Sequence, residues 1–344
     1  MNSFNSRRPY VIAEIGANHN GDMSLAEDLI KAAKKAGADC VKFQSWTKDS
    51  IFSKVKYEEN YFLKDDYRGR KDFTLEEIVE KFSVSKKQLF ELREISSGLS
   101  IDFACTPFSF DEAKFLATDL DVRFIKIASM DINNYPFHDF VARLGKPVIM
   151  STGLCGLAEI DRAVSVFESV GNKDFSLLHC VAEYPPEDAN TNLLNIQTLN
   201  SCYPEYEIGF SDHSIGICLP LAAIAIGATI IEKHFTLDKS MPGWDHRVSA
   251  TPEELSDICT GGKRIAEALG SLRVMATEDD DRKKEFRRSI VTTRAIRKGE
   301  IFKNEDLTFK RPGTGVSPEF VDFIVGRVAT RDLDADELVH SDDF

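Results

Sequence analysis

Gly209-Phe-Ser-Asp-His213-Ser and, about twenty residues on, Ala228-Thr-Ile-Ile-Glu-Lys-His234-Phe-Thr236 are two short apolar runs of β type, each ending in a histidine. The segment between them has helical character, so it returns the chain to the same edge of one sheet and sets the two runs side by side. Two imidazoles at neighbouring strand ends can hold one metal ion. A single strand-end histidine is more often a hydrogen-bonded structural residue. A pair, set among Ser211, Asp212 and Glu232, favours the metal, although no H-x-x-x-H or C-x-x-C spacing marks it.

The same alternation runs back to the start of the chain. Strand-like runs are Tyr10-Val-Ile-Ala-Glu-Ile-Gly16, Asp39-Cys-Val-Lys-Phe-Gln44, Ile101-Asp-Phe-Ala-Cys105, Arg123-Phe-Ile-Lys-Ile127, Pro147-Val-Ile-Met150, Phe175-Ser-Leu-Leu-His179, Glu207-Ile-Gly-Phe210 and Thr229-Ile-Ile-Glu-Lys233. Helical patterns fall between them at 24–36, 85–98, 110–118, 135–144, 157–170, 192–201 and 216–227, with a last one at 252–268. The first carries the stripe Leu25, Leu29, Ala32, Ala33 and Ala36, a capping box expected at Ser24-Leu-Ala-Glu27, and Gly37 as its stop. Eight strands, each followed by a helix, predict an α/β chain folded as a (β/α)8 TIM barrel. The competing arrangement, a doubly wound open sheet, would want a G-x-G-x-x-G after a strand. Gly16-Ala-Asn-His-Asn-Gly21 has its glycines wrongly spaced for that.

With 344 residues, 42% hydrophobic and 29% charged, the chain is long enough for a large globular domain and a small one. It has no apolar run of membrane-spanning length, and Met1-Asn-Ser-Phe-Asn-Ser-Arg-Arg-Pro9 lacks the apolar core of a signal peptide. A cytoplasmic protein with no membrane partner is expected. The net charge of −13 argues against nucleic acid. The seven cysteines (40, 105, 155, 180, 202, 218 and 259) are scattered and mostly within apolar runs, the usage of buried thiols in a reducing compartment. His179 and Cys180 are adjacent in a strand and point to opposite faces, which argues against a Cys-His nucleophile.

Residues 45–84 are too long for a simple βα loop. The aromatic and charged run from Trp46 through Tyr57, Tyr61, Phe62 and Tyr67 to Arg68-Gly-Arg-Lys71 reads as an excursion over the barrel mouth or a decorative insertion. Near residue 270 the composition turns polar, with Thr277-Glu-Asp-Asp-Asp-Arg-Lys-Lys284 as a linker. Short β structure follows from Arg288 to Phe302 with a turn at Lys298-Gly299, then one helical turn at Asn304-Glu-Asp-Leu307 and a loop at Arg311-Pro-Gly-Thr-Gly315. The expected organisation is a barrel over 1–269, a linker over 270–286 and a small β-rich domain over 287–344.

In a barrel of this type the chemistry sits at the C-terminal strand ends. The candidates there are Glu14 with Asn18 and His19, Lys42 and Gln44, Thr106, Lys126 with Ser129 and Asp131, Ser151 and Thr152, His179 with Glu183 and Tyr184, Ser211 with His213, and His234 with Asp245 and His246. Lys42 and Lys126 stand inside apolar strand runs, where a cation is costly without an anion. With the hydroxyls they form a cradle for phosphate, or phosphate plus carboxylate. The alternative is a pair of salt bridges tying strands together.

Ile12-Ala-Glu-Ile-Gly-Ala-Asn-His-Asn-Gly21, Val41-Lys-Phe-Gln44, Thr106-Pro-Phe-Ser109, Ile125-Lys-Ile-Ala-Ser129, Lys146-Pro-Val-Ile-Met-Ser-Thr-Gly153, Leu178-His-Cys180 with Tyr184-Pro, Gly209-Phe-Ser-Asp-His213 and Glu232-Lys-His-Phe-Thr236 resemble, in order, the motif series of the sialic acid synthase family. Lys310-Arg-Pro-Gly-Thr-Gly315 resembles that family's antifreeze-like (SAF) domain. The resemblance implies condensation of phosphoenolpyruvate with an N-acylated mannosamine-type sugar, giving a nine-carbon 3-deoxy-2-ulosonic acid and phosphate. It implies a divalent metal held by His213 and His234, commonly Mn2+ with Mg2+ or Co2+ as substitutes, which would polarise the sugar aldehyde. Phosphoenolpyruvate would be held by Lys42, Thr106, Lys126, Ser129, Ser151 and Ser211, and the open-chain sugar by Gln44, Tyr184 and Asp245. Glu14 and Asp131 become the acid/base candidates. The family's SAF domain reaches a partner subunit's barrel, so a domain-swapped homodimer is implied, with Arg311 meeting the sugar.

Three positions depart from the family pattern. Asp131 stands where a glutamate is usual, Ala182 where many relatives carry a small polar residue that helps bind phosphate, and Trp244 where a proline is more usual. Trp244 lies in the loop facing the sugar, which opens the acceptor to a diacetamido-trideoxy sugar or a sugar 6-phosphate. Outside the family, an enzyme making an 8- or 7-carbon ulosonate phosphate would share the lysines but not need the SAF domain. A metal-dependent barrel hydrolase would need further His or Asp ligands at early strands, where His19 is the only histidine, and a non-catalytic carbohydrate-binding role through the SAF domain would leave the polar mouth of the barrel without a purpose.

Overall fold

The structure, a computed structural model, describes residues 8–59, 74–271, 273–274 and 276–344. Tyr61, Phe62, Tyr67 and Arg68-Gly-Arg-Lys71 of the excursion after the second strand lie outside the described residues. Two compact units divide the chain at Gly270, Met1–Gly270 and Ser271–Phe344.

The first unit is a closed barrel of eight parallel strands in sequence order. They are β1 (Tyr10–Gly16), β2 (Cys40–Gln44), β3 (Asp102–Thr106), β4 (Ile125–Ile127), β5 (Val148–Ser151), β6 (Phe175–Cys180), β7 (Glu207–Asp212) and β8 (Ile230–His234). β8 pairs back onto β1, with Tyr10 opposite Ile230 and Glu14 opposite His234, so the open sheet is excluded. Helices Met23–Ala36, Lys86–Gly98, Phe110–Thr118, Tyr135–Arg143, Leu157–Val170, Asn195–Cys202, Cys218–Ala225 and Pro252–Leu269 form the outer layer.

Residues of each strand that face outward meet the helices in one apolar cluster that includes Val41, Phe43, Ile125, Ile127, Leu177, Phe210 and Ile231. Phe167 and Phe175 stack there at 4.4 Å between ring centroids, and truncating such a ring to alanine costs about 3–5 kcal/mol. Gly209 is needed where it stands. A Cβ at that position would fall 2.4 Å from the Ile230 carbonyl oxygen and 2.5 Å from Leu178 Cδ2, so a side chain there would force β7 away from its neighbours.

Two local expectations are corrected. The first helix is capped by Asp22 instead of a box at Ser24, because Asp22 Oδ1 accepts from the backbone N–H groups of Ser24 and Leu25 at 2.8 and 3.4 Å and draws Ser24 into the helix. Part of the expected linker is also helical. Asp280–Phe286 forms two turns, capped by Asp279 Oδ1 accepting from Arg282 N at 2.7 Å, with Asp280 and Asp281 placed to favour the positive end of the helix.

In the second unit β9 (Ser289–Thr292) pairs antiparallel with β10 (Leu307–Lys310) over a core of Ile290, Ile296, Phe302, Leu307, Ile324, Ala329, Leu333 and Val339. A core this small needs help, and an internal repeat supplies it. Arg294 bonds Glu300 and the buried Asp306, and Arg331 bonds Glu337 and the buried Asp343 at the same spacing. Gly299 and Asp336 take the same left-handed backbone at φ 91° and 68°. Among the described residues no helix is long and apolar enough to cross a membrane.

Candidate active site

Every second residue of a strand faces the barrel interior. The lower interior layer is apolar: Ile12, Cys40, Ala104, Phe124, Ile149, Leu178 and Ile230. Two residues further along each strand the same face turns polar, with Glu14, Lys42, Thr106, Lys126, Ser151, Cys180 and Glu232. These residues, with Gln44, Ser211 and His234, floor a cavity of about 430 Å³ at the C-terminal mouth, a size suited to small-molecule ligands.

The floor is a closed ion network. Lys42 Nζ lies 2.7 Å from Glu14 Oε2 and 3.7 Å from Glu232 Oε2, and donates to Thr106 Oγ1 at 2.9 Å. Lys126 Nζ donates to Ser151 Oγ at 2.6 Å and lies 3.6 Å from Glu232 Oε1. Ser211 Oγ donates to the same carboxylate at 2.9 Å, and Gln44 Nε2 to Glu14 Oε1 at 2.7 Å. All four charged side chains are buried. Burial pushes the Glu14 carboxyl up to about 7 against the pull of Lys42. Burial also lifts Glu232, but Lys126 and Lys42 more than offset it and hold that carboxyl below its ordinary value. Burial lowers the Lys126 ammonium. One carboxylate is thus firmly ionised and the other sits close to neutrality, a division that favours acid/base work by Glu14.

His213 and His234 face each other above the floor with ring centroids 5.4 Å apart. His213 Nδ1 donates to the Val181 carbonyl oxygen at 2.8 Å, and since a carbonyl only accepts, Nε2 carries the free lone pair. His234 Nδ1 is buried with no hydrogen-bond partner, 3.8 Å from Asp245 Oδ2. Burial, His213 and Lys42 hold His234 well below its ordinary value, so it is neutral. At His213 burial is outweighed by Cys180 and the Val181 carbonyl, which hold that imidazole above its ordinary value, so the neutral form that a divalent cation needs is reached there only by giving up a proton. Among the described residues no group of three or more His, Cys, Asp or Glu is placed to hold a metal, so a cation at this pair would have to take the rest of its shell as oxygen from solvent or substrate.

Tyr184 stacks on His213 at 4.0 Å. The rim above the floor is apolar: Trp46, Ile51, Phe52, Phe108, Met130, Leu154 and Trp244, with Asp245 beside it. Trp46, Ile51 and Phe52 come from the start of the long excursion after β2. Ser129 also lines the cavity and accepts from Gly153 N at 3.0 Å, an approach only glycine allows, since a Cβ there would be 2.7 Å from the hydroxyl oxygen. Asp131 is not among the lining residues. Its carboxylate accepts from Asn134 Nδ2 at 3.0 Å and its carbonyl from His138 Nε2 at 2.8 Å. His179, as its strand position requires, turns away from Cys180 and bonds the Thr191 carbonyl at 2.6 Å. Arg311 belongs to the second unit, where it is exposed and lies 5.1 Å from the Phe286 ring centroid.

Sequence reasoning named Glu232, Cys180, Trp46 and Trp244 but did not find what each meets. Glu232, the carboxylate shared by both lysines, is two residues before His234 on one strand face, and the period-two rule applied to β8 would have found it. Cys180 lies 3.9 Å from His213 Nδ1, a partner 33 positions away that no local pattern reveals. The aromatic rim is assembled from loops of unrelated sequence. A second cavity of about 420 Å³, lined by Thr152, His179, Asn190 and Asn195, opens beside the first. Among the described residues that line it there is no lysine or arginine.

A sequence profile of the NeuB family matches residues 29–273, and one of the SAF domain matches residues 287–344. An N,N'-diacetyllegionaminic acid synthase of Campylobacter jejuni is 38% identical over 97% of this chain and 99% of its own length. An N-acetylneuraminate-9-phosphate synthase of Drosophila melanogaster is 33% identical over 96% of this chain and 94% of its own. The crystal structure of an N-acetylneuraminic acid synthetase from Leptospira borgpetersenii, in complex with citrate, superposes with a TM-score of 0.71 at 37% identity, covering 80% of this chain and 90% of that one.

Proposed function

This chain belongs to the NeuB family of nonulosonic acid synthases, and from that membership we propose that it condenses phosphoenolpyruvate with an N-acylated amino-sugar aldehyde, yielding a 3-deoxy-2-ulosonic acid and inorganic phosphate. The observation that carries the reading is the floor. Lys42 and Lys126, buried inside the barrel and ringed by Thr106, Ser151, Ser211 and Ser129, are a seat for a small polyanion. Glu14 and Glu232 neutralise them in the free protein, and a bound phosphate and carboxylate would take over part of that role.

His213 and His234 would hold a divalent cation, Mn2+ by preference, which when bound supplies Lewis-acid polarisation of the sugar aldehyde. The chain's own residues do the rest. The lysines and hydroxyls fix phosphoenolpyruvate with C3 toward the aldehyde carbon, while Gln44, Tyr184 and Asp245 orient the open-chain sugar. As the new C–C bond forms, the aldehyde oxygen becomes an alkoxide that takes a proton from solvent, and positive charge is left at C2, which the Glu14 and Glu232 carboxylates steady. Water adds at C2, Glu14 takes its proton, and the C2 hydroxyl then collapses to the ketone, expelling phosphate by C–O cleavage with the hydroxyl proton leaving on it. We assign the proton to Glu14 over Asp131 because Glu14 lines the cavity and burial brings its carboxyl to about 7. The family's two-copy arrangement is part of the proposal, with Arg311 from a second copy's SAF domain meeting the sugar, in the cytoplasm where phosphoenolpyruvate is made.

The test is phosphate release from phosphoenolpyruvate with Mn2+ and a panel of acylated amino sugars. Release with at least one sugar, lost together with Mn2+ binding in His213→Ala and His234→Ala, supports the reading. Metal bound but no phosphate from any sugar would overturn it.

A further inference from the structure

Asn18 stands just beyond the end of β1, fully buried, and its side chain joins two elements of the mouth. Its Nδ2 donates to the Phe235 carbonyl oxygen at 2.9 Å and to Ser249 Oγ at 2.8 Å. Because a carbonyl oxygen only accepts, the amide cannot be turned the other way. Ser249 Oγ in turn donates to the Asp245 carbonyl oxygen at 2.7 Å. One amide therefore holds the residue next to His234 and the backbone of Asp245 at the same time. The side chains of those two residues face each other, with His234 Nδ1 3.8 Å from Asp245 Oδ2.

Asn20 pins the other side of the loop after β8. Its Nδ2 donates to the Pro242 carbonyl oxygen at 2.8 Å, which fixes Oδ1 as the acceptor of His246 Nε2–H at 3.2 Å and leaves His246 Nδ1 to the Thr236 hydroxyl at 2.6 Å. Only glycine at 243 lets the chain pass so close, since a Cβ there would fall 2.5 Å from Asn20 Oδ1. Trp244 and Asp245 are thus bracketed by two ties to the segment after β1.

Asn18 Oδ1 is buried with no hydrogen-bond partner. A buried acceptor without a donor disfavours the folded state, so packing alone does not call for an amide here. Its two N–H groups do, because a serine or threonine at that position would donate only once. Asn18 and Ser249 are not among the residues that line the cavity, whereas Asp245 and His234 are.

We propose that Asn18 is a positioning residue for the acceptor sugar: through Ser249 it fixes the loop that carries Asp245, and through the Phe235 carbonyl it ties that loop to the strand end that carries His234. This rests on the condensation reading, in which Asp245 meets the sugar and His234 the cation.

The experiment follows phosphate release by the full-length protein with Mn2+, giving KM for phosphoenolpyruvate and for whichever of N-acetylmannosamine, its 6-phosphate and 2,4-diacetamido-2,4,6-trideoxymannose the wild type turns over best. Ser249→Ala deletes one hydroxyl and cuts the arm to Asp245 alone. It should raise KM for the sugar roughly tenfold, the usual effect of losing one hydrogen bond that places a binding group. KM for phosphoenolpyruvate and Mn2+ affinity, read by electron paramagnetic resonance, should not change. Asn18→Asp sets a carboxylate oxygen against the Phe235 carbonyl, and should raise KM for the sugar and weaken Mn2+ binding together. In an Asp245→Ala background, Ser249→Ala should lower kcat/KM for the sugar no further, because it acts through that carboxylate. A Ser249→Ala protein with an unchanged KM for the sugar overturns the inference and leaves the condensation standing. So does an equal loss with and without Asp245, or an equal rise in KM for both substrates, either of which marks a purely structural role. No phosphate from any sugar with the wild type overturns the condensation reading and this one with it.

Discussion

Asp212 and Lys233 sit opposite each other in the β7–β8 register, with the ammonium 2.6 Å from the carboxylate and neither side chain reaching solvent. Each immediately precedes one of the two facing histidines, so this one bond ties the strand ends that set the imidazole spacing. The Asp212 carboxylate also accepts from Ser214 N at 2.8 Å, folding the turn after His213.

Lys233→Met leaves the Asp212 charge buried and unpaired, and is expected to cost about 3–5 kcal/mol in urea unfolding. Adding Asp212→Leu removes the stranded charge and should recover most of that stability. Mn2+ affinity, followed by electron paramagnetic resonance, should stay reduced in the double variant because an apolar pair fixes no direction. A single variant that loses under about 1 kcal/mol would contradict the burial argument.

Glu232 balances both floor lysines. Glu232→Gln leaves that positive charge under-compensated, so the free protein should lose about 2–3 kcal/mol while the anion is attracted more strongly. The rise in unfolding temperature on adding phosphoenolpyruvate should therefore be larger in the variant than in the wild type. A smaller rise would mean that the glutamate contacts the ligand itself.

Glu14 offers a pH test. Burial holds its carboxyl at about 7, and the proton-accepting form is the ionised one. Turnover should fall as pH drops below about 7, with a slope of one decade per unit. Glu14→Gln is expected to lower kcat about 10²–10⁴-fold and to abolish that acid limb. If the limb survives in the variant, another group is the base.

His138 makes stability itself depend on pH. Its Nε2–H donates to the Asp131 carbonyl, while Nδ1 is buried with no partner for a second proton. Burial lowers the group to about 4, below its unfolded value of about 6.5. As pH falls through 6.5 the unfolded chain takes up the proton and the folded one does not. Stability is therefore full above 6.5 and lost progressively toward 4, amounting to about 2 kcal/mol by pH 5. His19, lowered to about 4 by burial as well, steepens the same slope. Urea midpoints at pH 7 and 5 should differ accordingly, and His138→Gln should narrow the gap.

The barrel was legible in the chain because its strands repeat one signal eight times, and an error at one end, such as the cap at Ser24, does not disturb the count. That Lys42, Lys126, His213 and His234 would gather at one mouth was legible from their places in the predicted strands, while the sequence left open whether the lysines meet a bound anion or, as they do here, carboxylates of other strands. Glu232 lay in plain view but needed the strand face to be followed inward. The rim was legible only in part: Trp244 was expected in the loop facing the sugar and Trp46 at the start of an excursion that could cover the mouth, but their meeting with Phe108 joins three separate loops and no local pattern specifies it.

That rim has an optical consequence. The chain contains two tryptophans, Trp46 and Trp244, and both line the same cavity. All indole emission from the protein therefore originates at the mouth of the barrel, with no background from elsewhere. The molecule carries its own unlabelled reporter of occupancy, so a ligand settling in the cavity beside the rings would announce itself as a change in intrinsic fluorescence before any turnover is measured.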